Sequence, residues 1–379
     1  MSNTATNTSS KTTGVPLLDL KRQYLTIKED LDRAVLNVLD HGKFILGPEV
    51  AELEKQIAEY TGCEFACGVN SGTDALLLSL RASGVGSGDE VITTDFSFFA
   101  TAGVIWRLGA KPVLVDIEPD TFNIDPNLIA AAITSKTKAI IPVHLFGQMA
   151  DMEPIMKIAQ ERNLKVVEDG AQTIGSTYKD KKCGSMGNFG CFSFFPSKNL
   201  GCLGDGGIIV CSDEEDAAML KILRVHGSKP KYYHRLVGYN SRLATIQAAS
   251  ILVKLPHLRK WSETRIANAK YYDNRFAESS VKSPLVKDYT TFHIYNQYTV
   301  MVENRDEVRD KLKERGIGCE IYYPVPFHNQ ECFEYLGHKK DEFPNTNKTC
   351  ASVLSIPIFP ELTEAEREVV ANIVLEICG

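Results

Sequence analysis

The chain has 379 residues, of which 44% are hydrophobic and 24% are charged. This balance is typical of a globular protein with a large buried core. The formal net charge of -6 at pH 7 argues against a protein that binds nucleic acid or an anionic membrane surface. No apolar run approaches the ~20 residues that a membrane-spanning helix needs. Residues 1–14, MSNTATNTSSKTTG, are polar, so we expect a disordered tail there rather than a signal peptide.

Cysteine usage indicates the compartment. The chain has 10 cysteines but no secretory signal, a combination that predicts reduced thiols and a cytoplasmic protein. Cys63 and Cys67 are four positions apart and the others are scattered. None has the paired short spacing of a zinc site, so the sequence predicts no metal centre.

The predicted elements begin with two helices. Apolar residues recur at helical spacing through LKRQYLTIKEDLDRAVLNVLDHG (20–42), and Gly42 is expected to end that helix. A second helix is expected to begin at Gly47-Pro48, because proline suits the first helical position.

Strands and helices then alternate. Apolar runs predict strands at 65–70, 90–95, 111–117, 137–147 and 164–170, and helices at 72–82, 98–109, 126–134 and 152–162. Continuous apolar strands separated by helices are typical of a mostly parallel α/β sheet covered on both faces.

The pattern changes after residue ~210. A long helical segment, 242–277, is interrupted by Pro256, and later elements are a strand at 297–302 and helices at 305–315 and 363–377. We therefore expect a first domain over residues 15–255 and a smaller C-terminal α+β domain over 256–379.

An anion site is predicted where the first strand ends. Ser71-Gly72-Thr73 follows the strand and opens a helix, so exposed amides and the helix dipole meet at this turn. Ser71 as a simple helix cap is the alternative. The position at the carboxyl end of a parallel strand favours a ligand.

A lysine and a carboxylate carry the chemistry. Asp169 ends the strand LKVVEDG beside Glu168, and the two side chains are expected to point to opposite faces. Lys198 follows in FSFFPSKNLGCLGDGGIIV (192–210), a loop rich in aromatic residues and glycine. A pyridoxal phosphate (PLP) enzyme needs such a pair, the lysine for the Schiff base and the carboxylate for the pyridinium nitrogen. The alternatives are a turn or cap acid and a surface lysine.

Two further side chains fit the same cofactor. Ser193 lies five positions before Lys198 and could reach the phosphate. Phe98 follows another predicted strand, where an aromatic ring could stack on a planar cofactor. Of the neighbouring pair, Phe99 is expected to be the core residue.

With these residues, the chain resembles the PLP-dependent nucleotide-sugar aminotransferases of the DegT/DnrJ/EryC1/StrS type from Leu17 to the C-terminus. The segments that carry the resemblance are ILGPEV (45–50), SGTDALLL (71–78), GDEVITTDFSFFATA (88–102), KAIIPVHLFGQ (138–148), VVEDGAQ (166–172), SFFPSKNLGCLGDGG (193–207) and GYNSRLATIQAA (238–249). The resemblance implies a fold-type-I aminotransferase with a mostly parallel central sheet and a smaller C-terminal α+β domain. It also implies a homodimer with each active site at the subunit interface.

The resemblance also assigns roles. Lys198 would be the Schiff-base lysine and Asp169 the partner of the pyridinium nitrogen. Gln172 would bond the phenolic oxygen of PLP, and Phe98 would stack on the ring. The phosphate would be held by Gly72, Thr73 and Ser193, and by Asn240 from the other subunit.

A narrower resemblance concerns the substrate. RVHG (224–227), YYHRLVGYNSR (232–242) and NQYTV (296–300) resemble enzymes that aminate C3 of 3-keto nucleotide sugars, in particular UDP-2-acetamido-2-deoxy-3-oxo-glucuronate. Those enzymes serve bacterial surface polysaccharide synthesis, such as that of O-antigen and lipopolysaccharide, and L-glutamate would be the amino donor.

Six side chains are candidates for the sugar side of the pocket. The residues assigned to the substrate are His226, Arg242, Tyr323 and His328, with His234 and Arg235 as further cations. A C6 carboxylate needs a cation, and an arginine fork matches it well. The alternatives are that the cations bind the diphosphate or are merely solvated, and that Tyr323 packs in the core.

Three rival functions remain. The first is an aminotransferase acting on a dTDP-linked 3- or 4-keto-6-deoxy sugar. The second is a PLP-dependent sugar dehydratase, but those relatives carry histidine where Lys198 stands. The third is a non-enzymatic sensor or structural relative, which would be expected to lack Lys198, Asp169 or Ser193.

Overall fold

The structure, a computed structural model, describes residues 14–379. The predicted tail over residues 1–14 therefore lies outside the described residues, apart from Gly14. The strands are β1 Phe65–Val69, β2 Glu90–Thr94, β3 Lys111–Val115, β4 Thr137–Ile141, β5 Lys165–Asp169, β6 Thr177–Tyr178, β7 Lys181–Lys182, β8 Phe189–Ser193, β9 Gly207–Cys211, β10 Thr290–Phe292, β11 Tyr298–Met301 and β12 Val353–Ile356. The α-helices are α1 Leu20–Thr26, α2 Lys28–His41, α3 Pro48–Thr61, α4 Gly72–Ala82, α5 Ala100–Arg107, α6 Pro126–Ala132, α7 Met152–Arg162, α8 Glu214–Leu223, α9 Thr245–Lys254, α10 Leu258–Phe276, α11 Arg305–Glu314, α12 Pro344–Ser352 and α13 Glu364–Cys378.

A seven-stranded sheet organises the larger part of the molecule. Its strand order is β1-β9-β8-β5-β4-β2-β3. The pairs from β3 across to β8 are parallel, and β9 runs antiparallel to both of its neighbours. The prediction of a mostly parallel α/β sheet is confirmed.

Both faces of this sheet are buried. Ile92 and Val166 belong to the hydrophobic core on one face, and their chain neighbours Val91 and Val167 belong to the core on the other. Successive residues of a strand point to opposite faces, so continuous apolar runs fill both cores. Each fully buried aliphatic side chain stabilises the fold by about 1.5–3 kcal/mol.

A separate core lies in the C-terminal part of the chain. It is built mainly from α10, β11, α11, β12 and α13, and it includes Val15 from the N-terminal segment. Val15 forms a parallel bridge with Ile317. Helix α10 contacts two cores, because Leu258 packs in the core on one face of the main sheet and Tyr272 packs in the C-terminal core. The domain boundary at residues 255/256 stays a prediction.

Two predicted elements differ from the structure. The helix predicted over residues 20–42 is broken at Ile27, which has φ -129° and ψ 17°. There the buried Ile27 packs beside Leu31 and Trp261, so tertiary packing overrides the helical period. The strand predicted over 137–147 ends at Ile141, because Pro142 has no amide hydrogen to donate to a neighbouring strand. Gly42 ends α2 in the left-handed conformation, as predicted.

None of the helices within residues 14–379 combines the length and apolar character that a bilayer crossing requires.

Candidate active site

The residues expected to carry chemistry meet at one edge of the main sheet. In the strand register, Asp169 pairs with Cys191, while Val69 and Ser193 both pair with Gly207. The carboxyl ends of β1, β5 and β8 therefore lie side by side. Lys198 lies in the loop between β8 and β9 at the same edge.

A narrow cradle forms between α4 and the end of β8. A Cβ atom on Gly72 would lie 2.7 Å from the Cβ of Ser193, so the close approach requires glycine. Ser71 caps the helix, because its hydroxyl accepts a hydrogen bond from the Asp74 amide at 3.1 Å; this cap does not use the amides of Gly72 and Thr73. The amides of Gly72 and Thr73 precede the first helical hydrogen bond and are oriented to bind an anion.

Asp169 is a buried carboxylate with few protein partners. Its side chain accepts hydrogen bonds from the Thr101 hydroxyl at 2.8 Å and the Ala171 amide at 3.2 Å. Burial raises the pKa of Asp169 above its usual range, against the lowering effects of these two bonds and of the charge of Lys198. A cationic partner at this position would stabilise the carboxylate form.

Glu168 points to the opposite face, as predicted from strand geometry. It accepts hydrogen bonds from His144 Nε2 at 3.0 Å and from the amides of Gly184, Met186 and Gly187 at 2.9, 2.8 and 2.6 Å. Burial raises its pKa, but the bonds from His144 and from these amides outweigh burial and lower the pKa below its usual range. Glu168 therefore fixes the turn beneath the strand that presents Asp169.

His144, Glu168 and Cys183 place possible metal-ligand atoms within 4.8 Å of one another. However, His144 donates from Nε2 to Glu168, and its Nδ1 accepts from the Ala150 amide at 3.1 Å. Both ring nitrogens are thus engaged in hydrogen bonds, and we assign this cluster a structural role.

Lys198 is partly buried in its loop, where its amide donates to the Phe195 carbonyl at 2.9 Å. Burial lowers the pKa of Lys198 to about 8, although the charge of Asp169 acts in the opposite direction. An amine with this pKa exchanges a proton readily near neutral pH.

Gln172 and Tyr323 lie together at the site. The side-chain oxygen of Gln172 accepts from the Phe146 amide at 2.8 Å, and its nitrogen donates to the Tyr323 hydroxyl at 3.0 Å. The ring centroids of Phe98 and Tyr323 lie 6.2 Å apart. Phe98 is 58% exposed. Burial raises the pKa of Tyr323, and the nearby charge of Asp169 adds to this effect.

Phe99 is less exposed than Phe98, in the expected order, but it is not a core residue. Phe99 is 46% exposed and stacks on Phe333, while the fully buried phenylalanine of this segment is Phe96. Phe99 begins the turn that leads into α5, where only part of its ring is covered.

The assignment of His328 to the substrate also needs correction. His328 is buried, its Nδ1 pairs with the Asp95 carboxylate at 2.5 Å, and its Nε2 lies 3.1 Å from the Lys340 carbonyl. Both ring nitrogens are therefore engaged within the chain. The Asp95 carboxylate also accepts from the His328 amide, so the pair fastens the C-terminal part of the chain to the end of β2.

The remaining candidates lie on an exposed segment. His226 and Asn240 are exposed, and the segment is closed by a bridge between Val225 and Asn240. Arg242 donates to the Asn240 side chain. Arg242 also lines a cavity of about 480 Å³ with Ser71 and Thr73, so it lies beside the cradle, whereas His226 remains on the exposed turn.

Sequence reasoning missed Thr101, although this residue orients Asp169. The available signal is a hydroxyl side chain one helical turn after Phe98, in a segment that follows a strand. That signal becomes specific only when the fold brings α5 against the end of β5.

Together, these groups match PLP. The half-buried lysine matches its aldehyde carbon, the buried carboxylate at a strand end matches its ring nitrogen, and the glycine-lined anion cradle matches its phosphate. The site and the mostly parallel sheet define an enzyme of the PLP-dependent class. The sequence matches the DegT/DnrJ/EryC1/StrS aminotransferase family over residues 25–375. The chain belongs to this family, and the predicted family, fold class and cofactor are confirmed.

Similar proteins carry several names. A Geobacillus stearothermophilus protein named "Pleiotropic regulatory protein" is 49% identical over 96% of this chain and 98% of its own length. UDP-2-acetamido-2-deoxy-3-oxo-D-glucuronate aminotransferase of Pseudomonas aeruginosa is 42% identical over 94% of this chain and 98% of its own length. A dTDP-3-amino-3,4,6-trideoxy-alpha-D-glucose transaminase of Streptomyces venezuelae is 40% identical over 93% of both chains.

Solved structures agree with the fold. Streptomyces venezuelae DesV, crystallised with a ketimine intermediate, superposes with a TM-score of 0.94 at 40% identity, over 96% of this chain and 98% of its own. Bacillus subtilis NtdA, crystallised with the cofactor PMP, gives a TM-score of 0.90 at 32% identity, over 98% of this chain and 86% of its own.

Proposed function

We propose that this aminotransferase moves an amino group from L-glutamate to C3 of a UDP-linked 3-keto sugar, UDP-2-acetamido-2-deoxy-3-oxo-glucuronate, in bacterial surface polysaccharide synthesis. The observation that carries the amino-transfer chemistry is the meeting of Lys198, Asp169 and the Gly72–Ser193 cradle at one sheet edge. The sugar assignment is supported by the resemblance of the segments around His226, Asn240 and Asn296 to C3 aminotransferases.

When bound, PLP supplies an electron sink for the carbon that gains or loses the amino group. Lys198 would hold the cofactor and, once free, would carry a proton between reacting carbons, for which a pKa of about 8 is well suited. Asp169 would pair with the ring nitrogen, with Thr101 and Ala171 orienting the carboxylate.

Gln172 is assigned to the phenolic oxygen of the cofactor. Its side-chain nitrogen carries two hydrogens, and the bond to Tyr323 uses one of them. The second remains to donate to that oxygen. Phe98 would cover the ring, and its exposed surface leaves room for stacking.

We also assign a homodimer in the cytoplasm, with Asn240 reaching the phosphate site of the partner subunit. The segment that carries Asn240 exposes Tyr232 at 80%, Tyr233 at 71% and Val237 at 85%. Exposed apolar side chains grouped on one segment are typical of an interaction surface.

The assignment to the cytoplasm is supported by the cysteines. The cysteines at positions 63–378 are free thiols, as expected in a reducing compartment.

The nucleotide sugar is assigned to the space beside the cradle. A cavity of about 400 Å³ is lined by Phe98, Trp106, Arg107 and Phe333, and Arg107 also lines the neighbouring cavity that contains Arg242. Two arginines next to a phosphate cradle suit an anionic substrate. We therefore keep Arg242 as a substrate contact. Tyr323, beside Phe98 and Gln172, and His226, on the exposed turn, stay assigned to the substrate as well.

The three alternative functions are less well supported than amino transfer to a UDP-linked sugar. The regulatory name of the Geobacillus relative does not explain why Lys198, Asp169 and Ser193 are all retained in this chain and lie together. A dehydratase is disfavoured by Lys198 itself. An aminotransferase for dTDP-linked sugars is the alternative that the Streptomyces relative favours.

The chemistry is tested first at Lys198. Borohydride reduction followed by peptide mass spectrometry should find the cofactor attached to Lys198, and Lys198→Ala should abolish amino transfer and the yellow absorbance. Lys157→Ala, at an exposed position on α7, is the control and should behave as wild type. Near-normal turnover in Lys198→Ala would refute the proposal.

The substrate is tested in the reverse direction, because 3-keto sugars are unstable. The 3-amino products linked to UDP and to dTDP are compared as amino donors to 2-oxoglutarate. We expect a higher kcat/KM for the UDP-linked uronate. A preference for the dTDP-linked 6-deoxy sugar would overturn the sugar assignment and leave the amino-transfer chemistry intact.

A further inference from the structure

The residue after the candidate catalytic lysine is bonded to a distant part of the chain. Asn199 is buried, its side-chain nitrogen donates to the Ile294 carbonyl at 3.0 Å, and its oxygen accepts from the Asn296 side chain at 2.7 Å. A buried carboxamide that both donates and accepts is specific for this geometry, because neither aspartate nor leucine offers both functions.

The same distant segment also holds the other side of the site. The amides of Ile294 and Asn296 donate to the carbonyls of Gly147 and Phe146 at 3.1 and 2.9 Å. The Phe146 amide in turn donates to the Gln172 side chain at 2.8 Å. Residues 294–296 are therefore bonded on one side to the loop of Lys198 and on the other to the support of Gln172.

A buried arginine from helix α10 also holds residues 294–296 in place. Arg265 of α10 is 4% exposed, and its guanidinium donates to the carbonyls of Tyr295 and Asn296 at 3.1 and 3.3 Å. Burial lowers the pKa of Arg265 to about 10. Burying a guanidinium is costly unless its hydrogen bonds are made, so its use here indicates that the position of residues 294–296 is tightly specified.

We infer that Asn199 is a positioning residue: through Asn296 and Ile294 it fixes the main chain next to Lys198 relative to Gln172, and so sets how the lysine amine approaches the cofactor and substrate. The inference rests on the proposed role of Lys198. A lysine has a long flexible side chain, so the accuracy of its approach depends on where its main chain is held.

The test uses the holoenzyme with Asn199→Ala, Asn296→Ala and the double variant. The matched control is Asn268→Ala, which removes another buried carboxamide, one that donates to the Phe359 carbonyl at 3.3 Å in the C-terminal part of the chain. Each protein is measured for thermal stability, for kcat and KM with glutamate, and for the pH at which the absorbance of the lysine-linked cofactor changes.

We expect Asn199→Ala to lower kcat roughly 10- to 100-fold, with KM changed less than about threefold, and to shift the pH of the absorbance change. Asn296→Ala should act in the same direction, and the double variant should be less severe than the product of the two, because they share one hydrogen bond. The control should lose stability without either catalytic effect.

The inference is overturned if Asn199→Ala matches the Asn268→Ala control in kcat and in the absorbance transition. If Asn199→Ala does not fold, Asn296→Ala carries the same test, since it leaves the bond from Asn199 to Ile294 intact. Failure of the proposed function is seen separately, because borohydride reduction of the wild type would then leave Lys198 unmodified.

Discussion

Gly72→Ala tests the cradle most directly. The new Cβ would lie 2.7 Å from Ser193 Cβ and 3.2 Å from its Cα, whereas carbon atoms normally approach to about 3.5–4.0 Å. The start of α4 must therefore move away from β8 by roughly 1 Å, at an overpacking cost of ~1–3 kcal/mol. Alanine is the better helix former by up to ~1 kcal/mol, so we expect the apoprotein to fold with a small net loss of stability.

The cofactor should be affected more than the fold. Widening the gap separates the Gly72 and Thr73 amides from the Ser193 hydroxyl, and a loss of ~1–3 kcal/mol corresponds to a roughly 5- to 150-fold weaker Kd. The assay is a PLP titration followed by absorbance, with urea unfolding of the apoprotein in parallel.

Two further variants serve as controls for Gly72→Ala. Gly86→Ala adds a Cβ whose nearest neighbour is an Arg81 side-chain nitrogen at 3.9 Å, so PLP affinity should not change. Adding Ser193→Gly to Gly72→Ala removes the clashing Cβ and should restore part of the lost stability. If Gly72→Ala binds PLP as tightly as Gly86→Ala, the cradle is not the phosphate site.

Three further perturbations test other contacts in the protein. Asp169→Asn should leave the fold nearly intact but reduce amino transfer severely, because removing one partner of a buried ion pair costs about 3–5 kcal/mol; normal turnover would rule out the assigned carboxylate. Inactive Lys198→Ala chains mixed with an inactive Asn240 variant should regain up to about half the activity per mixed dimer, and verified heterodimers without recovery would show that Asn240 does not act across subunits. Arg22 donates two hydrogen bonds of 2.7 Å to Glu366, and chiefly through this contact the pKa of Glu366 is lowered to about 2. Because the folded pKa lies below the unfolded value of about 4.3, Glu366→Gln should cost about 1 kcal/mol of unfolding free energy at pH 7, and this difference should fade as the pH falls from about 4.5 towards 2; an equal loss at pH 2 would contradict the assignment.

The strand ends could be predicted because they depend on local patterns. Asp169 and the Ser71-Gly72-Thr73 turn each follow an apolar run, and parallel strands bring their carboxyl ends to one edge. The helix break at Ile27 could not be predicted, since it depends on packing against Trp261, far along the chain.

Other contacts could not be predicted because the two partners are distant in sequence. His328 was assigned to the substrate from the sequence, but its carboxylate partner, Asp95, lies 233 positions away. The bond between Asn199 and Asn296 spans 97 positions. A single sequence has no local signal for contacts of this kind.

The bridge between Val15 and Ile317 has a consequence for how the chain is made. Val15 is synthesised ~300 residues before its partner, which at ~5–20 residues per second means a delay of roughly 15–60 s. During that interval the N-terminal segment lacks the core in which it finally packs, and helix α13 is the last element of this core to be synthesised. The C-terminal core can therefore be completed only after α13 has been synthesised, and a nascent chain stalled after the main sheet would still expose Val15 to chaperones.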